Sequence, residues 1–349
     1  MCERRAASAL ALLLAAGLAA GPAAAEPRVT LLDLPFRVTQ LRDAGSEAAL
    51  AAATSGLPQL PRKPGQTAAP IAVAWGEGGA AILTLAGDRV AVIPLALDAV
   101  EGLTAGETPK GALPGSRRVL AGPVSAYLSG PTRGPDGRPG AAGVTVRERQ
   151  PVTMSADPKP VPVATATVPP GADAVFSGET LRAVEIDGAL NLIALSEHAG
   201  GASLAVIGRQ DGAWRVRAET PPEPGPLSLA ASLSGAGRPG AILLRGSDGR
   251  LEHWSLAKGQ PARQAESRGA DGKGFSAPGA SLGTDGEGEL VLATRDRAAL
   301  AFVSLRGLAE RARAALPAPA GADLAVLGSG RGAHVVVALA DGRLVDVQP

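Results

Sequence analysis

The dipeptide Asp-Gly occurs seven times in this chain, at Asp136, Asp187, Asp211, Asp248, Asp271, Asp285 and Asp341. Asp and Gly both tolerate positive φ, so the pair between apolar runs specifies a tight hairpin turn. The segments "AVIGRQDGAWRVRA", "ILLRGSDGRLEHWSL" and "VVVALADGRLVDV" share one shape: an apolar strand, a few polar residues, Asp-Gly, then a strand of alternating character. That is an internal repeat. Strand starts at Leu190, Ala241, Glu289 and Asp323 are about 50, 50 and 35 residues apart. Repeats of this length, each with several short strands, mean propeller blades rather than a sandwich.

The expected fold is therefore all-β: a β-propeller of about six to seven four-stranded blades. Units can be traced over 70–118, 119–177, 178–225, 226–270, 271–317 and 318–349. The last is short, and "RVTLLDL" (28–34) is placed to supply its missing strand and remove an open edge. Gly (46) and Pro (30) are abundant, but apolar residues reach 45%, which excludes disorder. Helical periodicity is confined to "SEAALAAAT" (46–54) and "GLAERARAAL" (307–316), the two helix expectations. The segments 58–70, 130–143 and 153–173 read as loops or connections.

The first residues set the address. Arg4 and Arg5 precede an apolar stretch, Ala9 to Ala20, and small residues at Ala23 and Ala25 form a cleavage site before Glu26. Residues 1–25 are expected to be a signal peptide, 26–69 an N-terminal segment holding the closing strand and a linker, and 70–349 the propeller. Removing 25 of 349 residues leaves 324, ample for a core. The expected destination is periplasmic or secreted, with no membrane insertion after the signal is removed. The only cysteine is Cys2, so the mature chain holds no disulfide and rests on its core. Formal charge is +1 for the whole chain, and Glu3, Arg4 and Arg5 carry that +1 away with the signal. A near-neutral chain with no basic stripe is a poor partner for nucleic acid. Aromatics at 2% leave few stacking platforms.

The loops before the strands resemble those of the exported FG-GAP/VCBS β-propellers. The likeness covers 178–349 well and 70–177 faintly. That family's loop, D-x-D-G-D-G-x-x-D before an apolar strand, implies a calcium site, since alternate acidic oxygens can wrap a hard cation. In "VEIDGALNLIAL", Glu185 and Asp187 hold the first two acidic positions and Asn191 the last. In "ASLSGAGRPGAILL", Ser232, Ser234 and Ala236 stand where the acids would be. In "GTDGEGELVLA", Asp285, Glu287 and Glu289 survive at shortened spacing. Calcium needs six to eight oxygens, several of them carboxylate. The metal candidates are thus Asp285, Glu287 and Glu289, followed by Glu185, Asp187 and Asn191. The expectation is worn turns that kept their glycines for backbone reasons, with no cofactor and calcium as the alternative.

Catalytic constellations are thin. His198, His253 and His334 occupy different points of their repeats, so a shared site is not expected. No G-x-S-x-G occurs, and "GSGRGAH" (328–334) precedes no helical pattern. Trp75, Trp214 and Trp254 fall in strands, as blade-packing residues would. The functional expectation is a monomeric, non-enzymatic module for a protein or glycan partner. The alternative is an envelope hydrolase or lyase with its site at the central channel. A third is an assembly factor docking by strand addition.

Overall fold

The computed structural model describes residues 26–56, 70–151, 160–234, 238–283 and 288–349. The expected signal peptide, Ala236, Asp285 and Glu287 lie outside them.

The chain begins with β1 (Arg28–Leu32) and β2 (Arg37–Arg42), then helix α1 (Glu47–Thr54). Next come β3 (Ile71–Glu77), β4 (Gly79–Ala86), β5 (Arg89–Leu95) and helix α2 (Leu97–Thr104). β2 to β5 form a sheet in sequence order, so the first sheet starts at Arg37. β6 (Val119–Ala121), β7 (Val124–Arg133), β8 (Pro139–Arg149) and β9 (Val163–Val168) follow. β10 (Val175–Ile186), β11 (Ala189–His198), β12 (Gly201–Gln210) and β13 (Ala213–Glu219) are antiparallel neighbours in order. Only Phe176↔Ala141 and Ser177↔Gly140 join these last two groups into one eight-stranded sheet.

β14 (Leu227–Leu233), β15 (Gly240–Arg245), β16 (Arg250–Ser255) and β17 (Ala262–Ser267) make the next sheet. β18 (Phe275–Ser281), β19 (Glu289–Thr294), β20 (Ala299–Ser304) and β21 (Glu310–Ala315) make another. β22 (Ala320–Leu327), β23 (His334–Leu339) and β24 (Leu344–Gln348) supply three strands of the last sheet, and β1 is its fourth. β1 pairs antiparallel with β24 from Arg28↔Gln348 to Leu32↔Leu344. The N-terminal strand therefore closes the fold as the sequence suggested.

These sheets form a β-propeller. First strands of successive sheets touch: β10 with β14, β14 with β18, β18 with β22, and β22 with β2. One bond recurs between sheets. Phe275 N donates to Gly249 O (2.9 Å), Ala320 N to Arg297 O (2.8 Å) and Val38 N to Gly342 O (2.8 Å). Each runs from the start of a first strand to the turn between the second and third strands of the preceding sheet. At Gly249 a Cβ would lie 1.9 Å from Phe275 O, so this Asp-Gly glycine is required by the seat of the next sheet as well as by its own φ of +67°. The other described Asp-Gly pairs also sit between consecutive strands. At Asp187-Gly188 and Asp211-Gly212 both residues have positive φ, the two-residue turn whose twist matches the hairpin.

The core lies between sheets rather than at one centre. Phe302, Val335 and Val345 pack between the two sheets that follow residue 275. Leu41, Leu83 and Val336 pack between the last sheet and the first. Beyond the first sheet, α1 and α2 fill the gap with Ala48, Ala49, Ala52 and Leu103 against Ile82. α1 forms where expected. Its N-cap Ser46 accepts from Ala49 N (3.2 Å), leaving one fewer orphan amide.

The helix expected over 307–316 is instead a turn and β21. Gly307 and Leu308 have positive φ, which no helix continues. Arg311 and Arg313 then point to solvent while Ala314 enters the core, the period-two pattern of a half-buried strand. α2 was not expected. Its N-cap is Ala96, with no side-chain cap bond to announce it.

Candidate functional site: the arginine-lined channel

The first strands enclose a channel of about 1100 Å³ lined by residues of β2, β10, β14, β18 and β22, and by Arg117, Arg118 and Val119 at the start of β6. Five of these strands carry a bulge opposite the second strand of their sheet. The irregularities fall at Val38/Gln40, Ser177/Arg182, Leu229/Ala231, Ser276/Gly279 and Ala320/Leu324. A bulge inserts residues that the partner strand does not match, bending the strand and re-aiming its side chains. The extra residues Ala230, Ala277, Pro278, Ala322 and Asp323 all line the channel. The largest bulge, between Ser177 and Arg182, places Gly178, Leu181 and Arg182 on its wall.

Charge gathers at one part of this wall. Arg42 is buried beside Glu107, with Nε donating to Oε2 at 3.0 Å, and its guanidinium stacks 4.7 Å from the Trp75 ring centre. Arg118 pairs with Glu47, and Arg117 with Asp323 at 3.4 Å. Burial lowers the pKa of Arg42, with Arg117 adding to the shift and Glu107 opposing it. Arg182 differs from the others. Its one hydrogen bond is from Nη1 to the Leu181 carbonyl (3.4 Å), and no carboxylate lies within ion-pair distance among the described residues. Desolvation also lowers its pKa; the field of Asp43 opposes this and that of Arg117 adds to it.

Of the sequence candidates, Glu185, Asp187, Asn191 and Glu289 do not line the channel, and Asp285 and Glu287 lie outside the described residues. Glu185 is exposed on β10, Asp187 is in the turn, and Asn191 is 1% exposed on β11. Asn191 pairs in register with Val184, and Glu185 with Leu190, so Glu185 and Asn191 lie on opposite faces of the hairpin. The Asn191 amide is already used: Nδ2 donates to Ala189 O (2.9 Å) and Oδ1 accepts from Arg217 (3.2 Å). Glu289 opens β19, and its carbonyl accepts from Leu282 N (2.8 Å).

The histidines have separate surroundings. His334 Nδ1 meets Asp346 Oδ2 at 2.8 Å inside the last sheet, and burial pushes the Asp346 carboxyl up. His253 lies on β16, where burial lowers its pKa. His198, Ser203 and Glu219 do meet. His198 Nε2 lies 2.9 Å from Glu219 Oε1 and 3.0 Å from Ser203 Oγ, and Ser203 Oγ donates to the same carboxylate oxygen at 2.6 Å. The serine proton is thus directed at the carboxylate, not at the imidazole. Ser203 is also fully buried. This is a cross-strand tie, not a nucleophile with its base. The tryptophans pack as blade residues, each with an arginine over its ring: Arg42 on Trp75, Arg209 on Trp214 and Arg263 on Trp254.

The Glu219 tie gives a pH prediction. Burial would raise the carboxyl, but the hydrogen bonds from Ser203 and His198 prevail and hold it below its ordinary 4.5. The folded state then binds fewer protons than the unfolded chain below that value. Its stabilisation is present above pH 4.5 and drains as pH falls through the folded value. Glu219→Gln should melt lower than the parent near neutrality and approach it in acid. A constant gap in melting temperature across the acid range would refute the assignment.

The channel arginines carried no sequence signal. They come from three segments, and only the ring brings them together.

No family model and no curated protein matches this chain. Solved structures do. BamB from Moraxella catarrhalis is 15% identical over 80% of this chain and 79% of that chain, with a TM-score of 0.36. Apo AztD from Citrobacter koseri is 12% identical over 71% and 70%, with a TM-score of 0.36. The AfRom2 CNH domain is 10% identical over 92% and 99%, again at 0.36.

Proposed function

We propose that this chain is an exported, non-enzymatic β-propeller of FG-GAP/VCBS type, with six blades, that presents its outer surface to a protein or glycan partner in the envelope or outside the cell. The observation that carries this reading is the state of the ionisable groups in the channel. Arg42, Arg117 and Arg118 are tied to Glu107, Asp323 and Glu47. Arginines held by carboxylates are fixed charges, whereas acid–base chemistry at neutral pH needs groups poised to trade protons. Among the described residues, no helix is long and apolar enough to cross a membrane.

A protein partner is supported by apolar exposure on the two helices. Leu50 on α1 and Leu97 on α2 are 42% and 44% exposed, and the helices touch. Residues 26–349 immobilised against an envelope extract should retain a discrete partner, and Leu50→Asp/Leu97→Asp should lose it while keeping the parent's melting temperature. Equal retention by both proteins would remove the helices from the reading. Turnover of a glycan or ester substrate, abolished by an Arg42 substitution, would replace the module with an enzyme. The reading includes no cofactor. Melting in EDTA and then in millimolar calcium tests that, because a cation bound only by the folded state raises the melting temperature. A calcium-specific rise lost in Asp285→Asn/Glu287→Gln would restore the worn loop as a metal site.

A further inference from the structure

We infer that the central channel binds a small molecule bearing one oxyanion, with Arg182 as the residue that receives it. The inference concerns the channel, and it stands whether or not the outer surface takes a partner.

The channel is large enough for a metabolite-sized ligand, and its wall sets charged and hydroxyl groups among small apolar residues. Within it the arginines are unequal. Three are matched to carboxylates. The fourth, Arg182, is exposed, and among the described residues its only bond is to the carbonyl of the adjacent residue. A guanidinium has five donors in a planar fork suited to a carboxylate or phosphate edge. Here most of that fork is free. Asp43 acts on it through space but makes no bond with it, and Arg117 presents a second positive charge nearby. A guanidinium that faces a cavity with most of its donors unmet by protein groups among the described residues offers a seat to an anion. Ser228, Ser232 and Ser281 line the same cavity and add hydroxyls. The placement is built rather than incidental, because the widest bulge of any first strand carries Arg182 to the wall.

One unmatched guanidinium suits one negative charge. A carboxylate fits that count, and so does a singly charged phosphate ester. The two sources share the recognition chemistry and are separated by experiment.

The test follows the Nε–Hε resonance of Arg182 in 15N-labelled 26–349, assigned by its loss in Arg182→Lys. Sodium acetate, inorganic phosphate and sodium chloride are titrated at matched ionic strength. A saturating shift with acetate supports a carboxylate ligand. Saturation with phosphate and not acetate supports a phosphate ligand. A linear, chloride-like response to both overturns the site. Two variants guard against a misplaced assignment. Arg182→Gln should weaken binding, measured by calorimetry, at least tenfold while leaving the melting temperature unchanged, since the side chain is exposed and its bond within the protein is a single one to the Leu181 carbonyl. Asp43→Asn should tighten binding by removing the competing field. Unchanged binding in Arg182→Gln would overturn the inference. Should Arg182→Gln fail to fold, Arg117→Gln is expected to weaken the same titration severalfold, and unchanged affinity there would have the same overturning force.

Discussion

Glu252→Ala should cost roughly 3–5 kcal/mol of stability, the largest loss expected from a single polar substitution in this chain. Glu252 is completely buried on β16, and Arg245 beside it is 2% exposed. One carboxylate oxygen accepts from Arg245 Nε (2.9 Å), Arg250 Nη2 (3.1 Å) and Arg263 Nη1 (3.5 Å). The other accepts from Trp254 Nε1 (3.0 Å). Without the carboxylate, Arg250 and Arg263 can turn to water, because both are partly exposed. Arg245 cannot. It retains only bonds to the Ala202 and Glu223 carbonyls, at 3.3 and 3.4 Å, and a 3.5 Å approach to the Glu223 carboxylate. A buried charge stripped of its partner is the expensive outcome, and a cavity adds to it. The melting temperature should fall by roughly 10 °C. Arg245→Met/Glu252→Leu should recover much of the loss, since an apolar pair leaves no buried charge. A single-variant cost under about 1 kcal/mol would mean that Glu223 takes over, and the double variant would then show no recovery.

How much of this was legible depended on whether the signal was local. Asp187-Gly188 and Asp211-Gly212 announced their hairpins because the positive φ values that the turn needs are a property of two adjacent residues. The apolar spacing of "SEAALAAAT" announced α1 from one short stretch in the same way. The closing strand was readable from a deficit: the last repeat was one strand short, and "RVTLL" had the right character. Residues 307–316 misled because alanine and arginine suit a helix, and only pairing with β20 decides for a strand. The channel was invisible for a different reason. A bulge is a mismatch between two strands, so the four residues from Gly178 to Leu181 that face Ala194 cannot be seen from either strand alone. Arg182 acquires its character from that mismatch and from the gap it faces.

Deleting residues 26–34 should destabilise the fold by about 5 kcal/mol net and leave a chain that self-associates. The strand removed pairs with β24 at five positions, Arg28 to Leu32. Its loss forfeits hydrogen bonds worth about 1 kcal/mol each. It also exposes apolar surface, because Val29 packs against the last two sheets and Leu32 and Leu34 against the first. Each such side chain is worth roughly 1–2 kcal/mol, and freeing nine residues returns part of the total as entropy. The second consequence follows from geometry. β24, with Val345 and Val347 fully buried, would become an open edge able to pair with another chain. Light scattering should therefore report oligomers of 35–349 where 26–349 stays monomeric. Adding a peptide of residues 26–35 should raise the melting temperature of the truncated chain with peptide concentration, as mass action requires of a ligand for the folded state. Scrambling that peptide should abolish the rise. A truncated chain that melts with the parent and stays monomeric would mean that the first and last sheets hold the ring through Val38 and Gly342 without the N-terminal strand.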